Sequence, residues 1–346
     1  ILETGESSPN WAYAEMKRKV ITGLAVQSEK YGIGHAVRLS SLLDVTKKHG
    51  WSPSQFDLTW LVGNQTQVSA LITEVQASDC LVLDVDPRFV EENLDLLDQI
   101  LGSVNQAKCA LVLFDSRTNF PVRQDISRIQ FDLTICPYGP PGVEITKDEI
   151  IGFGATIFDA SLEELRIEER DCQREPLNFL IACGGSDPFN VSTLYLRSLN
   201  QLLTQKFDVE IVIGPHFLKS NLVELMSEVE KSKHEIQLID SPSNLTSSYL
   251  EVDIALITGG LTRNEVLFLG IPSVVTDLNV DQEVSSQFFE SGECLIRAGT
   301  CSQGDEWLIE SMGTKILKLM TSPTLREKMS SNARLLMPGG GSELIL

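Results

Sequence analysis

The chain has 346 residues, of which 42% are hydrophobic and 22% are charged. This composition is typical of a globular protein, and the length favours two domains. The 48 Asp and Glu residues outnumber the 28 Lys and Arg residues, which gives a net charge of −20. Such a charge disfavours nucleic acid or an anionic membrane as a partner, and no apolar run reaches the roughly 20 residues that a transmembrane helix needs.

The cysteines and histidines show no spacing that is typical of a metal site. The seven cysteines form no CxxC pair, and the four histidines lie apart from them and from one another. Several cysteines stand inside apolar runs, so we expect reduced thiols and a cytoplasmic protein. The sequence therefore predicts neither a metal nor a cofactor.

The first half of the chain alternates short apolar runs, which predict strands, with amphipathic stretches, which predict helices. A helix is predicted from His35 to Lys48, ended by Gly50, and a second helical pattern covers Glu91 to Ile100. The predicted strands are Val20–Val26, Leu58–Val62, Cys80–Leu83, Ala110–Phe114 and Leu133–Cys136. This alternation favours a parallel sheet with helices on both faces.

The second half repeats the alternation after a charged stretch. Its predicted strands are Phe179–Cys183, Val209–Ile213, Ile236–Ile239, Ile254–Ile257 and Ser273–Thr276. Its predicted helices are Asn190–Leu203, Leu222–Lys231 and Thr262–Leu269, with further helical patterns from Trp307 to Leu336. We therefore predict two successive parallel α/β domains.

The expected domain bounds follow from these patterns. Residues 1–17 read as a tail or linker, 18–160 as the first domain, 161–176 as a charged linker, and 177–346 as the second domain. Because the chain starts at Ile1, we expect it to be a piece of a longer polypeptide.

The first of three glycine-containing motifs follows the predicted strand Val20–Val26. In this motif Gly34 and His35 stand at the start of the predicted helix, and Arg38 lies one turn further on. The helix dipole at that end disfavours imidazolium, so His35 is expected to be neutral and able to accept a proton. Arg38 could neutralise a phosphate. The spacing does not complete a GxGxxG dinucleotide fingerprint, and alone it is also compatible with an ordinary tight turn.

The other two motifs are glycine pairs at strand ends of the second half. Gly184, Gly185 and Ser186 follow the strand Phe179–Cys183, and their backbone N–H groups could form an anion site. No Gly-Lys-Ser/Thr follows, so this is not a P-loop. In parallel sheets, ligands bind beyond the carboxyl ends of the strands, so we expect both pairs to contact one diphosphate.

The second glycine pair opens a predicted helix. Gly259 and Gly260 precede Thr262, and a helix beginning there directs its positive end at an anion. Glu265 lies one turn into the helix, where a carboxylate could accept hydrogen bonds from ribose hydroxyls. A solvated helix glutamate remains the alternative for this residue.

In combination, GxGHxxR, GGSDP and GGLTxxE followed by LGIPSVV resemble the nucleotide-sugar hydrolases of pseudaminic acid synthesis, over roughly residues 19 to 335. Those enzymes release UDP and a diacetamido-trideoxy sugar, and they share the GT-B fold of two Rossmann-like domains that face each other across a cleft. The resemblance implies that His35 is the general base for water. It also implies that the two glycine pairs, together with Ser186 and Thr262, hold the diphosphate. By the same resemblance Glu265 would bind the ribose, and Leu245 would lie in the segment that faces the uracil.

Among the departures from the family pattern, two bear directly on the candidate residues. Asp281 and Gln282 stand where the family has Asn-Gln, so Asp281 becomes a second catalytic candidate and Gln282 a nucleotide-site candidate. Asp84-Val85-Asp86 replaces a stretch whose tyrosine lies near the sugar. The nucleotide half therefore matches better than the sugar half.

These observations predict a UDP-sugar hydrolase of nonulosonic acid or surface-glycan synthesis. In its reaction, water activated by His35 attacks the anomeric carbon. A UDP-sugar is the expected partner, and another enzyme of the same sugar pathway could be fused to the chain or associated with it. Two alternatives remain open at this point. One is a GT-B glycosyltransferase that moves the sugar to an acceptor, and the other is a non-catalytic nucleotide-sugar-binding module of a larger protein.

Overall fold

The structure is a computed structural model that describes residues 19–28, 30–104, 108–115, 126, 129–137, 144–166, 170–202, 206–242 and 244–345. The tail or linker predicted at 1–17 lies outside these residues. The described chain forms two parallel α/β units, as the sequence predicted.

The first unit is built on a seven-stranded sheet with the order β2-β1-β3-β4-β5-β7-β6. Its strands are β1 Val20–Ala25, β2 Ser52–Asp57, β3 Cys80–Asp84, β4 Ala110–Phe114, β5 Leu133–Cys136, β6 Glu144–Ile145 and β7 Glu149–Ile151. Only the β6–β7 pair is antiparallel. Its helices are α1 Gly34–Lys48, α2 Gln65–Ala77, α3 Pro87–Glu92 and α4 Leu94–Gly102. The central strand β3 is buried along its whole length because helices cover both faces of the sheet.

The second unit is built on a six-stranded, fully parallel sheet with the order β10-β9-β8-β11-β12-β13. Its strands are β8 Asn178–Ala182, β9 Asp208–Ile213, β10 Glu235–Asp240, β11 Ile254–Thr258, β12 Ser273–Asp277 and β13 Ile296–Thr300. The helices from the end of the first unit onwards are α5 Ala160–Leu165, α6 Val191–Gln201, α7 Lys219–Lys231, α8 Thr246–Glu251, α9 Leu261–Leu269, α10 Val280–Ser291, α11 Asp305–Met320, α12 Pro323–Leu336 and α13 Gly341–Ile345. Strands β11 and β12 are buried throughout, which agrees with their uninterrupted apolar sequence.

The predicted strand at Leu58–Val62 is wrong. The strand that pairs with β1 is β2, and Leu58–Leu61 forms a 3₁₀ turn that begins when the Asp57 side chain accepts a hydrogen bond from the Thr59 N–H. Strand β2 lies at the edge of the sheet and is only partly buried, so it lacks an apolar run. Of the apolar residues that follow it, Leu58 and Leu61 are buried by the turn, whereas Trp60 is exposed.

The predicted helix at Glu91–Ile100 is divided in two. Asn93 lies between α3 and α4 with a non-helical backbone, and its side-chain amide donates to the Phe89 carbonyl. Apolar periodicity continues across the break, which explains why the sequence alone suggests one helix.

The two units contact each other at both ends of the second one. The Phe158 ring, just before α5, stacks on Phe268 of α9 with 4.2 Å between centroids. At the other end α13 returns to the first unit, where Glu343 lies 3.2 Å from the His49 imidazole. The chain therefore crosses between the units twice, and the predicted domain bounds stay predictions.

Candidate active site

His35 lies in the first turn of α1, directly beyond the carboxyl end of β1. Its Nδ1 is 2.7 Å from Oδ1 of Asp84, the last residue of β3. Strands β1 and β3 are parallel neighbours, and their register pairs Ala25 with Asp84, which brings the carboxylate beneath the imidazole. Because a carboxylate only accepts, Nδ1 carries the proton, and the lone pair of the neutral form of the ring would be at Nε2. The imidazole side chain is 14% exposed.

Arg38 is the main partner of Asp84. Its Nε donates to Oδ2 over 2.7 Å, its Nη2 donates to Oδ1 over 2.6 Å, and both side chains are almost completely buried. Burial alone would raise the pKa of Asp84, but Arg38 and then His35 outweigh it and hold that pKa below its usual value. The sequence suggested a phosphate contact for Arg38. The structure instead gives its charge to a buried carboxylate, so we reassign it to holding Asp84.

A second carboxylate, Asp86, lies on the other side of the imidazole. Its Oδ2 is 4.0 Å from Nε2 of His35. Asp86 caps α3 by accepting from the Arg88 N–H, and the Arg88 guanidinium donates to both of its oxygens over 2.9 Å. Burial opposes its ionisation, but the hydrogen bonds from Arg88 outweigh that effect and lower its pKa. Asp86 is therefore a fixed, ionised acceptor beside the reactive face of the imidazole.

The sequence reading gave no role to Asp84 or Asp86. A usable signal existed, because parallel strands bring their carboxyl ends to one edge, and both residues directly follow or end an apolar strand run. The family pattern has a tyrosine in this stretch, and it assigns no role to the carboxylates at positions 84 and 86.

The first glycine turn connects β8 to α6. Gly184 has φ +84°, a left-handed conformation that favours glycine. The turn is supported from behind, since the Gly185 carbonyl accepts from the His216 N–H over 2.9 Å. A Cβ atom on Gly214 would lie only 2.4 Å from that same carbonyl oxygen, so the two loops are in close contact.

The helix after this turn is already capped by a side chain. Asp187 accepts from the N–H groups of Val191 and Ser192 over 2.7 and 2.9 Å, and it is 1% exposed. In the sequence, Asp187 directly follows the glycine turn and is of a type that can cap a helix, and α6 begins at Val191, three residues after Pro188. Any phosphate contact here would therefore fall to the turn itself, including the half-exposed Gly185 and Ser186.

The second glycine turn connects β11 to α9 and leaves the helix start open. Gly260 is the N-cap residue, and no side chain caps the helix. A Cβ atom on Gly260 would meet nothing within 4 Å, whereas one on Gly259 would lie 2.7 Å from Oδ1 of Asp277 and 2.9 Å from Cβ of Gln282. The space beside Gly259 is thus filled by Asp277 and Gln282, whereas the space beside Gly260 is open. The first N–H groups of α9, including that of the half-exposed Thr262, form a suitable anion site.

Gln282 and Asp281 lie in the first turn of α10. Oε1 of Gln282 accepts from the Leu278 N–H over 2.9 Å, so this side chain packs behind Gly259 and supports the turn. Asp281 is exposed. Its assignment as a second catalytic residue stays a prediction.

Glu265 lies in α9, one turn beyond the open helix start. Its Oε2 accepts from the Tyr249 hydroxyl over 2.5 Å, and burial raises the pKa of the Glu265 carboxyl. Tyr249 belongs to α8, whose N-cap residue Leu245 packs on the same apolar cluster. The three residues thus form one wall, as a ribose and base site would require.

The residues of the first unit lie directly against both glycine turns. A Cβ atom on Gly34 would be 3.0 Å from Cδ1 of Leu261, and one on Gly185 would be 3.3 Å from Cδ1 of Ile33. The segment that carries His35 therefore contacts the start of α9 and the first glycine turn at once. The sequence-predicted base therefore stands on a segment that packs against both predicted diphosphate turns.

No family model matches the chain. Among curated proteins, it is 35% identical to the uncharacterised protein MJ1062 of Methanocaldococcus jannaschii over 109 residues, which span 31% of this chain and 22% of that protein. It is 22% identical to the spore coat polysaccharide biosynthesis protein SpsG of Bacillus subtilis over 326 residues, which cover 90% of this chain and 91% of SpsG.

Solved structures share the whole fold at low identity. MurG of Acinetobacter baumannii matches with a TM-score of 0.63 and 12% identity, covering 94% of this chain and 98% of MurG. The UDP-GlcNAc 2-epimerase of Neisseria meningitidis, solved with bound UDP-GlcNAc, matches with a TM-score of 0.59 and 16% identity, covering 94% and 98%. The structure described here contains no helix with the length and apolarity to cross a membrane. The chain therefore has the GT-B fold.

Proposed function

We propose that the protein is a UDP-sugar hydrolase that releases UDP and a free acetamido-deoxy sugar for nonulosonic acid or surface-glycan synthesis. One observation supports this most: a His35–Asp84 pair with a free imidazole nitrogen lies against two glycine turns, one of which opens an uncapped helix. The likeness to a polysaccharide biosynthesis protein and to an epimerase bound to UDP-GlcNAc supports a nucleotide sugar as the ligand.

The proposed mechanism divides the reaction between the two units. Backbone N–H groups of the turns at Gly185 and Gly260 would hold the diphosphate and stabilise the charge that develops on the leaving UDP. Nε2 of His35 would accept a proton from water as the water oxygen attacks the anomeric carbon. Asp84 holds the tautomer and stabilises the imidazolium that forms. A single displacement of this kind inverts the anomeric configuration.

A glycosyltransferase is the second candidate, and one observation favours it. A depression beside α3 is lined by Tyr31, Phe89 and Glu92 among others, and Arg88 joins it to the site by lying 5.7 Å from the Tyr31 ring and donating to Asp86. Polar and apolar side chains both line it, and the nearby Trp60 side chain is 73% exposed. Such a surface could receive an acceptor molecule.

Replacing His35 with alanine tests the hydrolase proposal. We expect free-sugar release from UDP-2-acetamido sugars to fall by about 10²- to 10⁴-fold, because a general base is removed. UDP affinity, measured by calorimetry, should stay within a few-fold of the unmodified protein, since the diphosphate donors belong to the other unit. His49→Ala is the matched control, because this imidazole lies at the far end of α1 and is half exposed. Equal loss of turnover and UDP binding in His35→Ala would contradict the assignment, and so would unchanged turnover.

A further inference from the structure

We infer that the gap between Nε2 of His35 and Oδ2 of Asp86 is the binding site of the nucleophile, and that this site selects water over an alcohol. The inference rests on the proposed function and extends it, since it concerns which nucleophile the same centre accepts. It also gives Asp86 a catalytic role that its sequence context did not suggest.

Both atoms that border the gap are hydrogen-bond acceptors. Nδ1 of His35 donates to Asp84, so the neutral ring presents a lone pair at Nε2. Asp86 is held by Arg88 from one side, and its side chain remains 11% exposed. The separation of 4.0 Å is too long for a direct hydrogen bond between the two groups. A small donor between them would satisfy both.

Water fits this separation because it carries two hydrogens on one oxygen. An oxygen placed about 2.8 Å from both acceptors, a usual hydrogen-bond length, would see them at an angle of roughly 90°. That angle is close to the one between the two O–H bonds of water. Both hydrogens would then be directed at His35 and Asp86, and the lone pairs of the oxygen would face away from them.

An alcohol has one hydroxyl hydrogen, so it can donate to only one of the two acceptors. When it donates to His35, Oδ2 of Asp86 keeps its hydrogen bond from Arg88 but receives none from the nucleophile. Losing one hydrogen bond to a charged group disfavours binding by about tenfold to a hundredfold. The carboxylate of Asp86 has no other orientation available, because it also caps α3. The pair of acceptors thus discriminates by the number of hydrogens on the nucleophile, which favours hydrolysis over transfer.

The reaction step balances with these groups alone. The water oxygen forms a bond to the anomeric carbon while the bond between that carbon and the UDP oxygen breaks. The electron pair of the broken bond stays on the phosphate oxygen. The proton directed at His35 moves to Nε2. The hydrogen directed at Asp86 remains on the new sugar hydroxyl, so Asp86 accepts a hydrogen bond throughout and is not itself protonated.

The experiment measures how products divide between water and methanol. A panel of UDP-linked 2-acetamido and 2,4-diacetamido sugars is incubated with the protein in buffer containing methanol, and free sugar and methyl glycoside are quantified by mass spectrometry. Asp86→Asn keeps a good helix cap, because asparagine and aspartate cap equally well. The matched control is Asp57→Asn, which alters the cap of the turn after β2, where Asp57 bonds to Thr59.

We expect Asp86→Asn to raise the ratio of methyl glycoside to free sugar by about tenfold or more, with UDP affinity unchanged and with no such change in Asp57→Asn. The product ratio does not depend on how much protein is folded, so a loss of stability would not mimic the effect. A ratio equal to that of the unmodified protein, or an equal rise in the control, would overturn the inference while leaving the hydrolase intact. If the unmodified protein bound UDP but formed neither product, both the proposed function and the inference would fail.

Discussion

Replacing Asp84 with asparagine removes the charge on which both His35 and Arg38 depend. The carboxylate is fully buried and accepts three hydrogen bonds from these two side chains. Asparagine offers one acceptor oxygen, and its amide group would face either the guanidinium or the imidazole. If the amide faced His35, Nδ1 would become the acceptor and Nε2 would carry the proton, so the base would present the wrong tautomer.

The expected effects on stability and on turnover are separable. Breaking a buried ion pair by removing one partner costs about 3–5 kcal/mol, and Arg38 loses the carboxylate to which its Nε and Nη2 donate. Turnover should fall by about 10²- to 10⁴-fold for each folded molecule. The double variant Asp84→Asn with Arg38→Met removes both charges, and such pairs are close to neutral for stability. We expect it to recover most of the free energy of unfolding, measured with urea, but not the turnover.

The pH dependence of unfolding provides a further check on Asp84. Its pKa in the folded protein is lowered from 3.8, so the ion pair contributes stability above that value. This contribution is lost as the pH falls through the folded-state pKa. The double variant should therefore lose less stability than the unmodified protein between neutral pH and pH values below 3.8. Turnover that returned together with stability in the double variant would refute the positioning role of Asp84.

Three further variants test the proposed nucleotide site in the second unit. Glu265→Gln should weaken UDP binding by about tenfold to a hundredfold in calorimetry. Burial raises the folded-state pKa of Glu265, so the contribution of this carboxyl to stability is complete below pH 4.5 and is lost as the pH rises through the folded-state pKa. The free energy of unfolding of the variant, relative to that of the unmodified protein, should therefore increase with pH in urea unfolding. Gly260→Ala should leave stability unchanged but weaken UDP binding, since the added methyl meets open space at the helix start. Gly259→Ala should cost about 1–3 kcal/mol of stability, because its methyl would crowd Asp277, and equal stability of the two alanine variants would contradict this account.

Much of the architecture could be predicted because it depends on local patterns. Buried parallel strands such as β3 and β11 are uninterrupted apolar runs, and glycine pairs directly after such runs mark the ligand edge of the sheet. These features require no knowledge of which strands are neighbours. For that reason the two turns at Gly184–Gly185 and Gly259–Gly260 were identified from the sequence alone.

The remainder depends on contacts between distant parts of the chain. The roles of Asp84 and Arg38 follow from the pairing of β1 with β3, which the sequence does not state. The sequence suggests a phosphate contact for Arg38 because its buried partner, Asp84, lies 46 residues away in the chain.

The distribution of carboxylates bears on how so acidic a chain could hold the diphosphate that we propose as its ligand. Beside the glycine turns, Asp187 accepts from two backbone N–H groups, Asp277 accepts from a hydroxyl and a guanidinium, and Glu265 accepts from a phenol. Burial raises the pKa of all three, and each of them has a hydrogen-bond donor of the protein against it. Around the imidazole the opposite holds, because arginines lower the pKa of Asp84 and Asp86 and keep them ionised. The carboxylates beside the His35 imidazole thus stay ionised, whereas those beside the glycine turns are countered by donors of the protein.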